Sequence, residues 1–161
     1  MQITRAADYA VRVMIHLASL PPGVKVRRSD IAEATDVPES FLSKVLQELV
    51  QAGMITSRRG SGGGFRLAAA GNKVSLLDVV EAIEGPTWLN SCLEPGGPCC
   101  QRQMACAAHA VWSEAQAALE CVLRGASIAK LAKQSMEKPG ADPSAQTVPL
   151  DGLVGGNGHT G

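Results

Sequence analysis

The 161-residue sequence predicts a mainly α fold with a small β-wing: a winged helix-turn-helix head followed by a long dimerisation helix. Three observations predict it. Two short helical patterns meet tightly around Asp36 and Val37, a glycine-rich basic turn separates two short strand patterns, and a long apolar helical stripe runs over residues 110–124. Four of the five cysteines lie between head and stripe, at positions 92–106. The expected organisation is a DNA-binding head over residues 1–85, a cysteine-rich cofactor loop over 86–109, a dimerisation helix with a short terminal helix over 110–136, and a tail over 137–161.

Lys+Arg and Asp+Glu both number 15, so global charge selects no partner and only its distribution is informative. Between positions 49 and 77 there is no acidic residue, while Arg58, Arg59, Arg66 and Lys73 all fall there. Apolar runs such as residues 11–20 are broken by Arg12 and His16 and fall short of the roughly 18 residues that span a bilayer. With no signal-peptide pattern at the start, a cytoplasmic location and no membrane partner are expected. Five cysteines in that setting argue for metal or redox chemistry over a disulfide scaffold.

From Ile3 onward Ala6, Tyr9, Ala10, Val13, Met14, Leu17 and Ala18 recur at helical steps until Pro21, Pro22 and Gly23 end the pattern. Thr4 suits the N-cap, and Asp8, one turn inside, complements the helix dipole. Residues 24–27 form a short connection with strand character. Residues 29–35 read as a short helix with Ile31, Ala32 and Ala34, and a second helix follows with Pro38 and Glu39 in its first turn. Phe41, Leu42, Val45, Leu46, Leu49 and Val50 make its apolar stripe, leaving Ser40, Ser43, Lys44, Gln47 and Gln51 outside. Such side chains can approach base edges in a major groove, with Lys44 reaching guanine or phosphate; taken alone they equally suit a solvated face.

Met54, Ile55 and Thr56, then Phe65, Arg66 and Leu67, read as two strands joined by Arg58, Arg59 and the run GSGGG. A turn this glycine-rich can protrude as a wing, and the two arginines suit phosphates or a narrow minor groove. The run lacks the Gly-Lys-Ser/Thr ending of a nucleotide phosphate loop. Residues 72–85 read as a further helix, with Ser75 and Asp78 as a capping box and Leu77, Val80 and Ile83 on its apolar face. Gly85 and Pro86 end it.

The segment CLEPGGPCCQRQMACAAH is a loop feeding a helix. Thiolates are soft ligands, and Cys92, one of Cys99 or Cys100, and Cys106 supply three, with His109 a candidate fourth. That donor set suits an iron-sulfur cluster or zinc. Its surroundings offer Glu94, Arg102 and His109 but no Cys-His-Asp arrangement, so no thiol or metal-dependent enzyme is expected. Val111, Trp112, Ala115, Ala118, Leu119, Val122 and Leu123 form a stripe with no partner left in so small a domain, and dimerisation is its expected use. Cys121 reads as a small core residue, Ser127 caps a helix over 128–133, and the composition after Glu137 predicts a disordered tail.

The run SFLSKVLQELVQAGMITSRRGSGGGFRLA, preceded by SDIAEATDVPE and TRAADYAVRVMIHLA, resembles the Rrf-type winged helix-turn-helix transcription regulators, the IscR- and NsrR-like family, over residues 1–133. The resemblance implies a homodimeric regulator, in most members a repressor, that binds an inverted-repeat DNA operator. It implies that Ser40, Ser43 and Lys44 meet the major groove and that Arg59, with Arg58 beside it, enters the minor groove. Cofactor-binding members carry three cysteines in this interval. Their usual spacing selects Cys100 over Cys99, giving Cys92, Cys100 and Cys106 as ligands of a 2Fe-2S or 4Fe-4S cluster that senses redox state, nitric oxide or cluster supply. The preferred fourth ligand is His109, and the alternative is Asp8 supplied by the partner subunit. The runner-up is the same fold with zinc or thiol-oxidation sensing.

Overall fold

Helix α1 (Arg5–Ser19) starts where Thr4 accepts a hydrogen bond from the Ala7 amide at 3.4 Å and ends just before Pro21. The computed structural model describes residues 3–60, 62–68, 73–96 and 106–137. Ala7, Ala10, Val13, Met14 and Leu17 are buried along one face of α1, which packs against most of the other elements of the head.

Helix α2 (Arg28–Thr35) ends at Asp36, whose left-handed backbone (φ 56°, ψ 32°) turns the chain into α3 (Glu39–Gln51) with Pro38 as N-cap. An aspartate tolerates that conformation better than most residues. Leu42, Val45, Leu46 and Leu49 on α3 are almost wholly buried, each contributing roughly 1.5–3 kcal/mol, so α3 is held firmly. Phe41 departs from expectation. It is 48% exposed, because at about 100° per residue it lies roughly a quarter turn from the centre of that stripe. Its ring meets Tyr9 edge-on at 5.6 Å instead.

Strands β1 (Ile55–Arg58) and β2 (Gly64–Leu67) pair antiparallel from Ile55–Leu67 to Arg58–Gly64. The strand character of residues 24–27 reduces to one bridge, in which Val26 and Phe65 exchange backbone hydrogen bonds at 2.8 Å. Gly64 is required there: its φ is +147°, and a Cβ would lie 2.7 Å from the Val26 carbonyl oxygen. The Gly63 amide donates to the Gly60 carbonyl at 2.8 Å and closes the wing turn.

Helix α4 (Leu76–Glu84) begins at Leu76, later than the sequence suggests, because the capping box sets its start. The Asp78 amide donates to Ser75 Oγ at 3.1 Å and the Ser75 amide to Asp78 Oδ2 at 2.8 Å. A 3-10 turn over Ser91–Leu93 precedes α5 (Ala107–Gly125) and α6 (Ile128–Glu137), the last extending beyond the expected end at Lys133. Helices α4 and α6 flank α1, and α5 lies on α4. Cys121 is exposed, contrary to the core assignment. Only a narrow face of α5 is covered, centred on Gln116, and Cys121 lies about 140° around the helix from it. Among the described residues no helix is long and apolar enough to cross a membrane. The predicted tail beyond residue 137 lies outside the described residues.

Candidate nucleic-acid interface and cysteine segment

The helix-turn-helix and the wing converge on one face. Ser40, Ser43 and Lys44 are exposed along α3, and Arg58 and Arg59 are exposed where β1 meets the wing turn. Ser43, Gln47, Arg58 and Arg59 line a groove of about 450 Å³ between α3 and the wing, so the structure joins one expected helix contact to both wing arginines. Ser40 and Lys44 do not line it. Lys44 is 80% exposed and 3.7 Å from Glu48 one turn on, a pair too solvated to hold the ammonium back from a phosphate.

The basic surface is wider than the sequence suggested. Arg27, Arg28 and Arg58 line a second groove of about 370 Å³ with the wing glycines, and Lys25 Nζ donates to the Gly62 carbonyl at 3.4 Å. Arg66 donates from Nε to Thr56 Oγ1 at 3.1 Å on the strand face. Sequence reasoning treated residues 24–27 as a connection and missed this cluster. A signal was available: Arg28 opens α2, where a cation opposes the helix dipole and α2 gains nothing from it.

Of the expected metal ligands, Cys92 lies half-buried in the 3-10 turn, Cys106 is exposed at the N-cap of α5, and His109 follows in the first turn, its amide donating to the Cys106 carbonyl at 3.0 Å. The turn carrying Cys92 packs against α5. Cys99 and Cys100 lie outside the described residues. Asp8 is half-exposed and its carboxylate is 2.8 Å from Arg12, whose guanidinium also sits 5.8 Å from the Tyr9 ring centre. Among the described residues no three His, Cys, Asp or Glu side chains converge in a way that could hold a metal ion.

Gln116 was also missed. It is 6% exposed on α5, where Oε1 accepts from the Leu89 amide at 2.9 Å and Nε2 donates to the Thr87 carbonyl at 3.0 Å and to Glu120 at 2.8 Å. One buried amide thus ties the segment leading into Cys92 to the helix capped by Cys106.

A family model described as Rrf2, iron-dependent transcriptional regulator, matches residues 3–134. Protein aau3 of Rhizobium meliloti (strain 1021) is 36% identical over 134 residues, covering 83% of this chain and 86% of that one. An HTH-type transcriptional regulator of Mycobacterium tuberculosis (strain ATCC 25618 / H37Rv) is 38% identical over 86 residues, 53% of each chain. Among solved structures, T. potens IscR superposes with a TM-score of 0.67 at 23% identity over 88% of this chain and 93% of that one. CymR (YrzC), the global cysteine regulator of B. subtilis, does so with a TM-score of 0.65 at 23% identity over 83% and 98%. Oxidised Staphylococcus aureus CymR gives 0.62 at 26% identity over 83% and 97%. Fold and sequence therefore agree, and the chain belongs to the Rrf2 family of transcriptional regulators, which are DNA-binding proteins and not enzymes.

Proposed function

We propose that this chain is a homodimeric repressor that binds an inverted-repeat operator with α3 and the wing, and that an iron-sulfur cluster held by Cys92, Cys100 and Cys106 controls its affinity. The observation that carries the cofactor assignment is the packing of the Cys92 turn on α5, the helix whose N-cap is Cys106, with Gln116 of that helix bonding residues 87 and 89 just before the turn. Two cysteines and His109 therefore sit on touching elements, and they are donors of the kind a cluster takes. When bound, a 2Fe-2S or 4Fe-4S cluster supplies one-electron and nitric-oxide reactivity.

The residues of the chain do the rest. Ser40, Ser43 and Lys44 face the major groove, and Arg58 and Arg59 face phosphates and the minor groove. The exposed Val111, Trp112 and Val122 on α5 supply a second copy with an apolar face. His109 serves as the fourth ligand, since it is already beside Cys106. Asp8 of the partner subunit is the alternative, and its pairing with Arg12 does not prevent that role: a solvated pair one helical turn apart is worth only about 0.3–0.5 kcal/mol.

Visible absorption with iron and acid-labile sulfide analysis on protein purified without oxygen tests the assignment. Colour and sulfide are expected in the wild type and in Cys99→Ala, and their loss in Cys92→Ala, Cys100→Ala and Cys106→Ala. Protein that stays colourless after cluster reconstitution refutes the cluster and turns the assignment to zinc or thiol oxidation. The exposure of the Cys106 thiol favours that second reading next.

A further inference from the structure

Arg28 places a guanidinium on the reading face of α3, although it belongs to α2. Its Nη1 donates to Ser43 Oγ at 3.1 Å, and its Nη2 lies 3.6 Å from Glu39 Oε2. Glu39 and Ser43 are one turn apart on α3, so two residues of the reading helix set the plane of one side chain from outside it. The Arg28 side chain is 52% exposed and open to a nucleic acid on its far side, where it also lines the groove shared with Arg27 and Arg58.

We propose that Arg28 is a specificity-determining residue: by making Ser43 accept its hydrogen bond, it leaves the Ser43 O–H as the group presented to a base edge. The inference rests on the DNA-reading role of α3 proposed above. A free serine hydroxyl rotates, donates and accepts, and therefore discriminates poorly among bases. With Arg28 on one lone pair, the Ser43 proton turns away from the cation. An incoming cytosine amino group would meet a positive charge beside an oxygen already engaged. Guanine O6, purine N7 and thymine O4 are acceptors and match the O–H. The operator step facing Ser43 accordingly carries an acceptor edge in each half-site.

The plain alternative is that Arg28 adds phosphate charge alone, and one experiment separates the two. Operators are selected from random duplex DNA with the full-length wild-type protein. Binding of single-base variants is then followed by fluorescence anisotropy for wild type, Arg28→Ala, Ser43→Ala and the double variant, at several salt concentrations. Arg28 and Ser43 are surface residues, and circular dichroism verifies that each variant folds. The expected result is a preference of roughly three- to tenfold for an acceptor edge at one position per half-site, the worth of one hydrogen bond. That preference is lost to the same extent in both single variants and in the double variant, with other positions unchanged. If Arg28→Ala weakens all sequences equally, lowers the salt slope by about one and keeps the preference, Arg28 is a phosphate contact and the inference is overturned. If wild type selects no sequence, the DNA-reading role of α3 falls as well, a result distinct from a failure of Arg28 alone.

Discussion

Replacing Gln116 by leucine keeps the volume of the side chain and removes every hydrogen bond it makes. Two of these hold backbone groups of the cysteine approach, the Leu89 amide at 2.9 Å and the Thr87 carbonyl at 3.0 Å. Leucine can satisfy neither. A net worth of about 1 kcal/mol per bond gives about 2 kcal/mol, and the partial burial of both groups leaves water some access, which keeps the figure from rising towards the cost of fully orphaned groups. Since 1.4 kcal/mol is tenfold, the Leu89 amide should exchange its hydrogen about 30 times faster in Gln116→Leu. The core positions Leu46 and Met14 are elsewhere, on α3 and α1, and their amides should exchange as in the wild type. Native-state hydrogen exchange followed by NMR reads both. An unchanged rate at Leu89 would refute the claim that this amide anchors the segment, and a uniform rise across the chain would show a global stability effect instead.

Three more outcomes follow from the same structure. Gly64→Ala adds a Cβ against the Val26 carbonyl at a φ of +147°, so the wing should be destabilised by about 1–3 kcal/mol, read as a lower urea midpoint with weakened DNA binding; an unchanged midpoint would contradict the steric argument. For Asp78, burial alone would raise the carboxyl pKa, but hydrogen bonds from the Ser75 hydroxyl and amide and the nearby Arg124 cation outweigh it and leave the pKa below the ordinary aspartate value. A depressed folded-state pKa means that its contribution is complete above the unfolded-state pKa, about 4, and is lost as pH falls through the folded value, so the urea midpoint of wild type should drop more between pH 5 and 3 than that of Asp78→Asn. On the proposed homodimer, Val122→Asp, at a position 70% exposed in the single chain and on nearly the same face of α5 as Val111 eleven residues earlier, should give a monomer by light scattering; a persisting dimer would place the interface elsewhere.

What could be read from the sequence was whatever depends on neighbours along the chain. The α1 and α3 stripes follow from helical period, the α4 start from the Ser75 and Asp78 pair, and the wing from its glycines, because each cause and its effect lie within a few residues. Arg28 and Gln116 act across elements. The Arg28 bond to Ser43 spans fifteen positions and the Gln116 bonds span 27 and 29, and in a linear pattern both side chains look like ordinary polar surface. Phe41 and Cys121 were misplaced for a related reason, since a stripe shows which residues are apolar but not how wide a strip of the helix its neighbour covers. Among the expected DNA contacts, Ser43, Arg58 and Arg59 share a groove, but their individual roles came from the family resemblance and not from their residue types. The choice between Cys99 and Cys100 lies outside the described residues.

The same contacts bear on how a cofactor near Cys106 would reach α3. The end of α5 and the turn into α6 hold the start of α4, and α5 also holds the chain that leaves α4. At the start of α4, the Leu76 amide donates to the Ala126 carbonyl at 2.8 Å, the Ile128 amide donates to the Val74 carbonyl at 2.9 Å, and Arg124 lies 3.9 Å from Asp78. Just past its end, Gln116 holds residues 87 and 89. Helix α4 packs in turn on α1 and α3. On the proposed function, a displacement at the Cys106 end of α5 has a route to the reading helix through α4. Coupling energies between sites are typically 1–3 kcal/mol, the same size as the two Gln116 bonds to the backbone. Gln116→Leu should then leave DNA binding by the cofactor-free protein near the wild-type value and shrink the difference between the cofactor-free and cofactor-loaded states. Equal responses in wild type and variant, measured by anisotropy on one operator, would mean that the signal travels by another route.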